Sequence, residues 1–401
     1  MLKSAKSSAS RLIFLFSLTY MVSYMTRINY GAVLAEMEAA TSFSRSLLSM
    51  AVTGSFITYG AGQIITGIFG DRLSPKKLIT FGFCVTVCMN LLISLCRNPY
   101  EMLAVWCING FAQSFMWPPL VRLMTEYFPG DAYKKATVRV SWGSSAGTIA
   151  VYLLAPAIIS LLGWRYVFVI SALIGAGMIV LWNLAVPDPG KPVRTPRAAG
   201  GRKSTFFSPV VLAVMLTIVL QGMLRDGVTT WMPSYISETF KLSSEISILS
   251  GVILPIFSIL SLQAASALFR SRFKNPLACA GVIFGLGAVS SLALWLLSDA
   301  SAAFSVFFSA LLSGCMHGVN LMLVCMLPAY FARTGNVSTA SGLLNACTYV
   351  GSAISTYGIA LLSDSRGWGF TIALWFVIAA LGTVMCLLSA KPWQKKFEEQ
   401  G

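Results

Sequence analysis

Apolar residues fill most of the chain in long runs that are separated by short polar stretches. Twelve runs reach roughly 20 residues or more, the length that an α-helix needs to cross about 30 Å of hydrocarbon. They lie near 11–35, 46–69, 76–96, 99–124, 136–162, 164–186, 206–236, 242–268, 275–297, 301–327, 336–362 and 367–390. Hydrocarbon offers backbone groups no hydrogen-bond partners, so each run is predicted to be a helix. The alternating strands of a membrane barrel are not visible in the sequence.

The longest hydrophilic stretch, residues 187–205, leaves six runs before it and six after it. It is rich in proline, glycine and basic residues, which is typical of a flexible linker. We therefore predict an all-α membrane protein whose twelve transmembrane helices form two six-helix bundles. The N-terminal half covers 1–186, the cytoplasmic linker 187–205, and the C-terminal half with its short tail 206–401.

Composition and charge placement agree with this interpretation. Only 11% of residues are charged and 56% are hydrophobic, whereas soluble proteins carry about 25% charged residues. Of the 29 lysines and arginines, 22 fall on one side of the predicted spans, five on the other and two inside them. By the positive-inside rule, both termini are expected in the cytoplasm of a multi-pass protein of the bacterial cytoplasmic membrane. The net charge of +15 is then topogenic and does not indicate a nucleic-acid partner.

Two other features, the basic N-terminal segment and the cysteines, are interpreted as parts of membrane helices. Lys3, Lys6 and Arg11 before the first run resemble a signal peptide, but Arg27 interrupts that run, so we expect a retained helix. All nine cysteines fall inside predicted spans without a C-x-x-C pair and are expected to be packing residues. Neither a nucleotide loop nor a triad candidate occurs, so we expect no enzyme, no cofactor and no metal site.

Charged residues well inside the spans are few: Arg27, Arg225 and Asp226, with His317 as a further titratable residue. An arginine at a helix centre costs roughly 2.5–3.5 kcal/mol to insert, so such residues usually face water or a partner. Met25-Thr26-Arg27 parallels Met223-Leu224-Arg225, with one arginine in each half. Two guanidinium groups can bind one phosphate or carboxylate bidentately. The alternative is that they are structural, with Asp226 as an ion-pair partner.

Polar and aromatic residues at helical spacing predict a wet surface beside these arginines, although any single stripe can equally join two helices. Tyr20 and Tyr24 precede Arg27 on the same helical face. Similar stripes occur at Tyr59 and Gln63; at Asn109, Gln113 and Trp117; and at Asn345 and Tyr349. His317 has two interpretations, a buried ring bonded to a neighbour or a proton or phosphate contact. Asp226 also has two, a partner that holds Arg225 when the site is empty or a proton carrier.

Several segments resemble a known transporter family. The stretch Gly67-Ile-Phe-Gly-Asp71-Arg72, followed by basic residues, resembles the loop 2–3 signature of the major facilitator superfamily. Tyr24-Met-Thr-Arg27, Trp117-Pro-Pro-Leu-Val-Arg122 and Leu224-Arg225-Asp-Gly-Val-Thr-Thr-Trp231 resemble motifs of its organophosphate:phosphate antiporters, the glycerol-3-phosphate and hexose-phosphate transporters.

The resemblance implies roles for particular residues. Arg27 and Arg225 would bind the substrate phosphate in a site shared by the two halves, and Asp71 and Arg72 would act in gating. The substrate residues then include Tyr20, Tyr24, Tyr59, Gln63, Trp117, Trp142, Asn345 and Tyr349. Two cationic or protonatable positions of the family carry Gln63 and Ala146 here. The pocket is therefore expected to be less positive than that of a sugar-phosphate transporter.

We expect a monomeric secondary active transporter that moves a small organic anion by alternating access in exchange for inorganic phosphate. One alternative is a proton-coupled symporter of an organic anion such as a carboxylate, with Asp226 and His317 as the coupling residues. An alternative of another class is a non-transporting membrane sensor of a phosphorylated metabolite.

Overall fold

The computed structural model describes residues 2–41, 43–188, 206, 208–241, 253–297 and 301–397. Within these ranges the secondary structure is helical, and no strand occurs. The helices are α1 Leu2–Ala40, α2 Arg45–Gly70, α3 Pro75–Leu95, α4 Pro99–Gln113, α5 Trp117–Tyr127, α6 Asp131–Leu162, α7 Trp164–Ala185, α8 Pro209–Phe240, α9 Ile253–Arg272, α10 Pro276–Leu296, α11 Ala302–Asn320 and α12 Val337–Phe397. Between α11 and α12 the chain forms a π-helix, Leu321–Met326, and a 3-10 helix, Leu327–Thr334.

These helices account for the twelve predicted runs. The fourth run is divided into α4 and α5, and the tenth continues from α11 into the π and 3-10 turns. The last two runs form the two parts of α12, which breaks at Gly367, where φ is 77°. The linker 187–205 lies almost entirely outside the described residues, as does 242–252 at the start of the eighth run.

In the described part of the chain, eight helices are long and apolar enough to cross a membrane. The first, second, fourth and eleventh predicted spans are not among the eight. The fourth is divided into α4, of 15 residues, and α5, of 11 residues, and neither alone is long enough to cross a bilayer.

Local sequence sets where several helices begin. Ser74 accepts a hydrogen bond from the Lys77 amide and is followed by Pro75. Asn98 and Asn275 cap α4 and α10 in the same way, each followed by a proline. Ser and Asn side chains satisfy amides that the first turn leaves open, and proline at the next position has no amide to satisfy.

The described chain separates into two compact units. One comprises Met1–Thr195 with Phe331–Ala346, and the other Pro196–Tyr330 with Cys347–Gly401. Residues 331–346 therefore group with the first part of the chain. The division into halves at the linker stays a prediction.

The first unit has an aromatic core and a close helix contact. Tyr30, Trp106 and Phe168 are buried together, and the Tyr30 hydroxyl donates to the Leu48 carbonyl at 3.1 Å. A Cβ built on Gly143 or on Gly147 of α6 would lie 2.5 Å from a backbone carbonyl oxygen of α1, at Ser17 and Met21 respectively. The glycines thus allow α1 and α6 to pack backbone against backbone.

Candidate functional site

Arg27 of α1 lies among aromatic rings in the first compact unit. Its guanidinium carbon is 4.1 Å from the ring centre of Tyr24 and 4.6 Å from that of Tyr59 on α2. Tyr20 packs against Tyr24 and Trp117, with ring centres 5.1 Å and 4.8 Å apart. A guanidinium within about 6 Å of an aromatic face is attracted by the quadrupole of the ring. The four aromatic residues named from the sequence thus form one cluster around Arg27.

The residue before Arg27 is held by three buried amide side chains. The Thr26 carbonyl accepts hydrogen bonds from Asn90 Nδ2 at 3.0 Å and from Asn109 Nδ2 at 3.2 Å. The Thr26 hydroxyl accepts from Gln113 Nε2 at 2.9 Å. Asn29 Nδ2 donates to Asn90 Oδ1 at 2.8 Å, which links the same network one turn further along α1. Helices α3 and α4 therefore fix α1 at the turn that carries Arg27.

This network decides between two interpretations of one polar stripe. From the sequence, Asn109 and Gln113 could line a wet surface together with Trp117 or join two helices. Both amides are buried, with 0% and 2% exposure, and bind the backbone and hydroxyl of Thr26. The polar stripe on α4 therefore joins helices. Spacing along one helix does not distinguish a side chain that faces water from one that bonds a neighbouring helix.

The other predicted residues of the first unit lie in different surroundings. Gln63 is fully buried, and neither of its amide atoms has a hydrogen-bond partner among the described residues. Trp142 Nε1 is likewise buried without a described partner. Trp142 lines a groove of about 320 Å³ between α1 and α6, together with Arg139 and Ala146. Asn345, near the start of α12, is buried.

Arg225 of α8, in the second unit, is bound by a carboxylate. Its Nε and Nη2 atoms donate to Asp226 Oδ1 and Oδ2 at 2.6 Å and 2.8 Å. Its Nη1 atom is 3.4 Å from Asn320 Oδ1. The Tyr349 ring centre is 6.0 Å from the guanidinium carbon, and the Ser352 hydroxyl donates to Asp226 Oδ2. The ion pair considered from the sequence is therefore present.

His317, the single histidine of the chain, lies on α11. Its Nδ1 atom is 2.9 Å from the Ser313 carbonyl oxygen. A carbonyl can only accept, so Nδ1 carries a hydrogen, and Nε2 of the neutral ring is an acceptor. This contact fits the interpretation of a ring bonded to a neighbour. A role for His317 in coupling stays a prediction.

Asp71 lies just beyond the end of α2 and is bound to the start of α12. Its two carboxylate oxygens accept from the backbone amides of Ser338 and Thr339, each at 2.8 Å. The first amides of a helix have no partner within it, and a carboxylate there also suits the helix dipole. Burial raises the pKa of Asp71, while these amides and Arg122 act in the opposite direction. Asp71 therefore acts as a cap for a helix distant in sequence.

Close contacts beside Asp71 explain the two glycines, Gly67 and Gly70, that precede it in the motif. A Cβ on Gly67 would lie 2.8 Å from the Ser338 carbonyl oxygen, and one on Gly70 1.9 Å from its hydroxyl. Arg122 of α5 donates to the Gly70 carbonyl through Nη1 and to Glu126 through Nε at 2.8 Å. Arg72 is exposed. The two residues predicted for gating thus lie in unlike settings, one buried against α12 and one at the surface.

Comparison with known proteins places this architecture in a family. Residues 16–356 match the model of the Major Facilitator Superfamily. The chain belongs to the major facilitator superfamily. The fold agrees, because the structure is similar to that of the proton:xylose symporter XylE, with a TM-score of 0.77, 98% of this chain and 96% of that chain covered, and 14% identity. The predicted all-α transporter fold is confirmed, and so is the expectation that the protein is not an enzyme.

Within the superfamily, the relatives found belong to the predicted group. A membrane sensor protein, UhpC of Salmonella typhimurium, is 23% identical, with 92% of this chain and 89% of the relative covered. A probable hexose phosphate transport protein of Chlamydia trachomatis is also 23% identical, with 93% and 89% covered. The glycerol-3-phosphate transporter of Bacillus subtilis is 25% identical, with 89% and 87% covered. The resemblance to the organophosphate:phosphate antiporters is confirmed.

Three contacts that shape these sites were missed in the sequence. Asn90 supports the turn of Arg27 from α3, Ser352 binds Asp226 from α12, and Ser338 offers its amide to Asp71. Asparagine inside an otherwise apolar span was a usable signal for Asn90. The other two are ordinary serines, whose partners lie 126 and 267 positions away in the sequence.

Proposed function

We propose that this member of the major facilitator superfamily is a secondary active transporter that exchanges a small organophosphate, or a related organic anion, for inorganic phosphate. The observation that carries the proposal is the pair of intramembrane arginines at corresponding positions in the sequence. Arg27 lies among Tyr24 and Tyr59, and Arg225 lies beside Tyr349 and Asp226. Relatives named as hexose phosphate and glycerol-3-phosphate transporters support the substrate class.

We further propose that Arg27 and Arg225 both bind the transported anion. A guanidinium offers two parallel donors that match a phosphate edge, and it remains charged at any relevant pH. Gln63 occupies a position that the family resemblance assigns to a cation, and its amide lacks a described partner. An amide that can both donate and accept suits a substrate hydroxyl or phosphate oxygen without adding charge. We therefore favour small anions of low charge over sugar bisphosphates.

The direct test is counterflow in proteoliposomes. Vesicles are loaded with unlabelled phosphate, and uptake of labelled phosphate is measured while organophosphates, phosphonates and carboxylates compete from outside. Exchange of phosphate that a small organophosphate inhibits supports the proposal. Uptake that requires an imposed proton gradient and no internal phosphate would favour the symporter instead. The symporter is supported by Asp226, the acidic residue that pairs with Arg225.

A sensor is the second candidate, because one relative is named a membrane sensor protein. It differs from the transporter in a measurable way. A sensor binds the anion, seen as a shift of thermal unfolding in detergent, but gives no counterflow. We also propose that the protein is a monomer with both termini in the cytoplasm, since most lysines and arginines fall on that side of the predicted spans. Cysteine labelling of tagged termini in intact cells tests the orientation.

A further inference from the structure

The donor edge of Arg225 that would suit a phosphate is already occupied. Nε and Nη2, the two donors of one side of the guanidinium, point to Asp226 Oδ1 and Oδ2 at 2.6 Å and 2.8 Å. The remaining nitrogen, Nη1, is 3.4 Å from Asn320 Oδ1. A carboxylate held in this side-on geometry uses the same two donors that a phosphate or a substrate carboxylate would use. A transported anion therefore cannot bind that edge while Asp226 holds it.

The pairing is not a consequence of helical spacing. Adjacent residues of an α-helix point about 100° apart, so neighbours at i and i+1 do not normally face each other. Arg225 and Asp226 nevertheless turn toward one another and toward Ser352 of α12. The Asp226 side chain keeps 31% exposure and that of Arg225 14%. The pair is therefore only partly buried, so opening it does not leave either charge wholly without solvent.

We propose that Asp226 is an internal ligand of Arg225, which the transported anion displaces and which takes up one proton when it is displaced. This inference rests on the proposed function. Competition for one donor edge means that substrate and Asp226 bind Arg225 in turn. A carboxylate left charged beside the incoming anion would repel it, so a proton from water on Asp226 removes that repulsion.

The surroundings of Asp226 can accept both of its charge states. The Ser352 hydroxyl has one hydrogen and two possible acceptors, Asp226 Oδ2 and the Thr348 carbonyl, which lies at 2.9 Å. When Asp226 is charged, the hydrogen is shared with its carboxylate. When Asp226 is protonated, its O–H can donate to Ser352 Oγ, whose hydrogen then bonds Thr348. The Ser352 hydroxyl therefore has a hydrogen-bond partner in either charge state of Asp226.

The cycle balances in charge and protons. One anion and one proton enter the site, the Arg225–Asp226 pair opens, and Arg225 binds the anion. On the other side of the membrane the anion leaves, Asp226 releases its proton to water, and the pair reforms. The other charged or titratable group beside Asp226 among the described residues is His317 of α11. When one anion is exchanged for another, one proton crosses the membrane in each direction, so a proton gradient does not drive the exchange. Net uptake of an anion carries a proton in one direction only and therefore responds to the gradient.

The test compares Asp226→Asn with Asp226→Glu in purified protein and in proteoliposomes. Phosphate is the ligand, and its binding is followed by isothermal titration in two buffers that differ in ionisation enthalpy. Removing the competitor in Asp226→Asn should lower the dissociation constant for phosphate by about 10- to 150-fold, the range expected for a hydrogen bond to a charged group. The variant should also take up about one proton fewer per phosphate than wild type, while Asp226→Glu keeps the proton uptake.

In proteoliposomes, Asp226→Asn should still exchange phosphate, at a rate altered by its tighter binding. Wild type is expected to show a slow net uptake without internal phosphate, well below its rate of exchange, and the variant should lose the stimulation of this net uptake by an inward proton gradient. The matched control is Asp131→Asn, which removes an exposed aspartate that pairs with Lys134 at 2.9 Å. It should match wild type in every measurement. A dissociation constant that is unchanged or higher in Asp226→Asn, or equal proton uptake in wild type and variant, overturns the inference.

Failure of the inference and failure of the proposed function are distinguishable. If wild type binds phosphate but exchanges none, the transporter proposal fails, and the titrations still decide whether Asp226 competes. If wild type exchanges phosphate while Asp226→Asn neither tightens binding nor changes proton uptake, only the inference fails. Should Asp226→Asn not fold, Ser352→Ala serves as the second variant. It keeps the carboxylate and removes the hydroxyl that bonds it, so proton uptake should fall while exchange persists, and unchanged uptake counts against the inference.

Discussion

Arg27 and Arg225 occupy corresponding positions in the two parts of the sequence, yet their surroundings differ. Arg27 contacts the rings of Tyr24 and Tyr59, and buried amides bond the turn that carries it. Arg225 is bound by Asp226 through two short hydrogen bonds. An aromatic ring attracts a guanidinium through its face, whereas a carboxylate uses two of its N–H donors. The two arginines that we propose bind one anion therefore start from different contacts.

The largest effect is expected from replacing either arginine by lysine. Lysine keeps the charge but loses the planar fork and the stacking on rings. Arg27→Lys and Arg225→Lys should each reduce phosphate counterflow by roughly 100-fold or more. Equal yield and monodispersity in detergent would show that the variants still insert and fold.

Arg165→Lys is the control for both arginines. Arg165 donates to the carbonyls of Ser94 and Cys96 at 2.6 Å and 2.9 Å, away from both clusters. This variant should transport within about twofold of wild type, because a lysine can still donate to a carbonyl. Near-normal uptake by Arg27→Lys or Arg225→Lys would refute the role of that arginine in binding.

A smaller loss is expected when the support behind Arg27 is removed. Asn90→Leu deletes the amide that bonds the Thr26 carbonyl and leaves Asn29 without its acceptor. An unsatisfied buried donor costs about 1–3 kcal/mol, so the melting temperature should fall and transport should drop by about 10-fold. The control Asn183→Leu changes an exposed asparagine of α7. A variant that melts like wild type would show that the network does not support the turn.

The aromatic contact on Arg27 is expected to matter less than its backbone support. Tyr59→Leu removes the ring 4.6 Å from the guanidinium, and the apparent KM for phosphate should rise by about 5-fold, as expected for a desolvated cation–π contact. Tyr59→Phe keeps the ring face and should lie closer to wild type. Equal KM values for the two variants would assign the effect to packing or to the hydroxyl.

The smallest effect is expected at the corresponding ring of the second arginine. Tyr349 lies 6.0 Å from Arg225, at the outer limit of such contacts. Tyr349→Leu should change the KM by about twofold or less, because Asp226 rather than the ring holds the cation. A loss as large as that of Tyr59→Leu would mean that the two arginines are more alike than their contacts indicate.

The sequence predicted the fold well because its signal is strong at that level. Hydrocarbon requires about 20 apolar residues per helix, so the runs could be located from composition alone. Proline after Ser or Asn begins several helices, as at Pro75 and Pro276, a local signal that was not used to place the runs. The break within α4–α5 and the π-helix at Leu321–Met326 were not predicted, since neither leaves a distinct apolar pattern.

The candidate site was predictable where contacts follow helical spacing. Tyr24 lies three residues before Arg27 on one helix, and its contact with the cation follows from that spacing. Tyr59 contacts the same cation from α2, and the motif comparison named it without giving the partner. The role of Asn109 could not be decided from the sequence, because an amide that bonds α1 and one that faces water have the same spacing along α4. The residue type at these positions predicted a polar side chain. Which group that side chain bonds depends on how the helices pack.

The backbone contact between α1 and α6 has a mechanical consequence. With Gly143 and Gly147 against the carbonyls of Ser17 and Met21, the two helix backbones touch, and a larger side chain at either glycine would push them apart. We therefore expect α1 and α6 to move together in any transport cycle. Arg27 follows Met21 on α1 by less than two helical turns, so we expect this contact to position its guanidinium before a ligand arrives and to lower the cost of ordering it on binding.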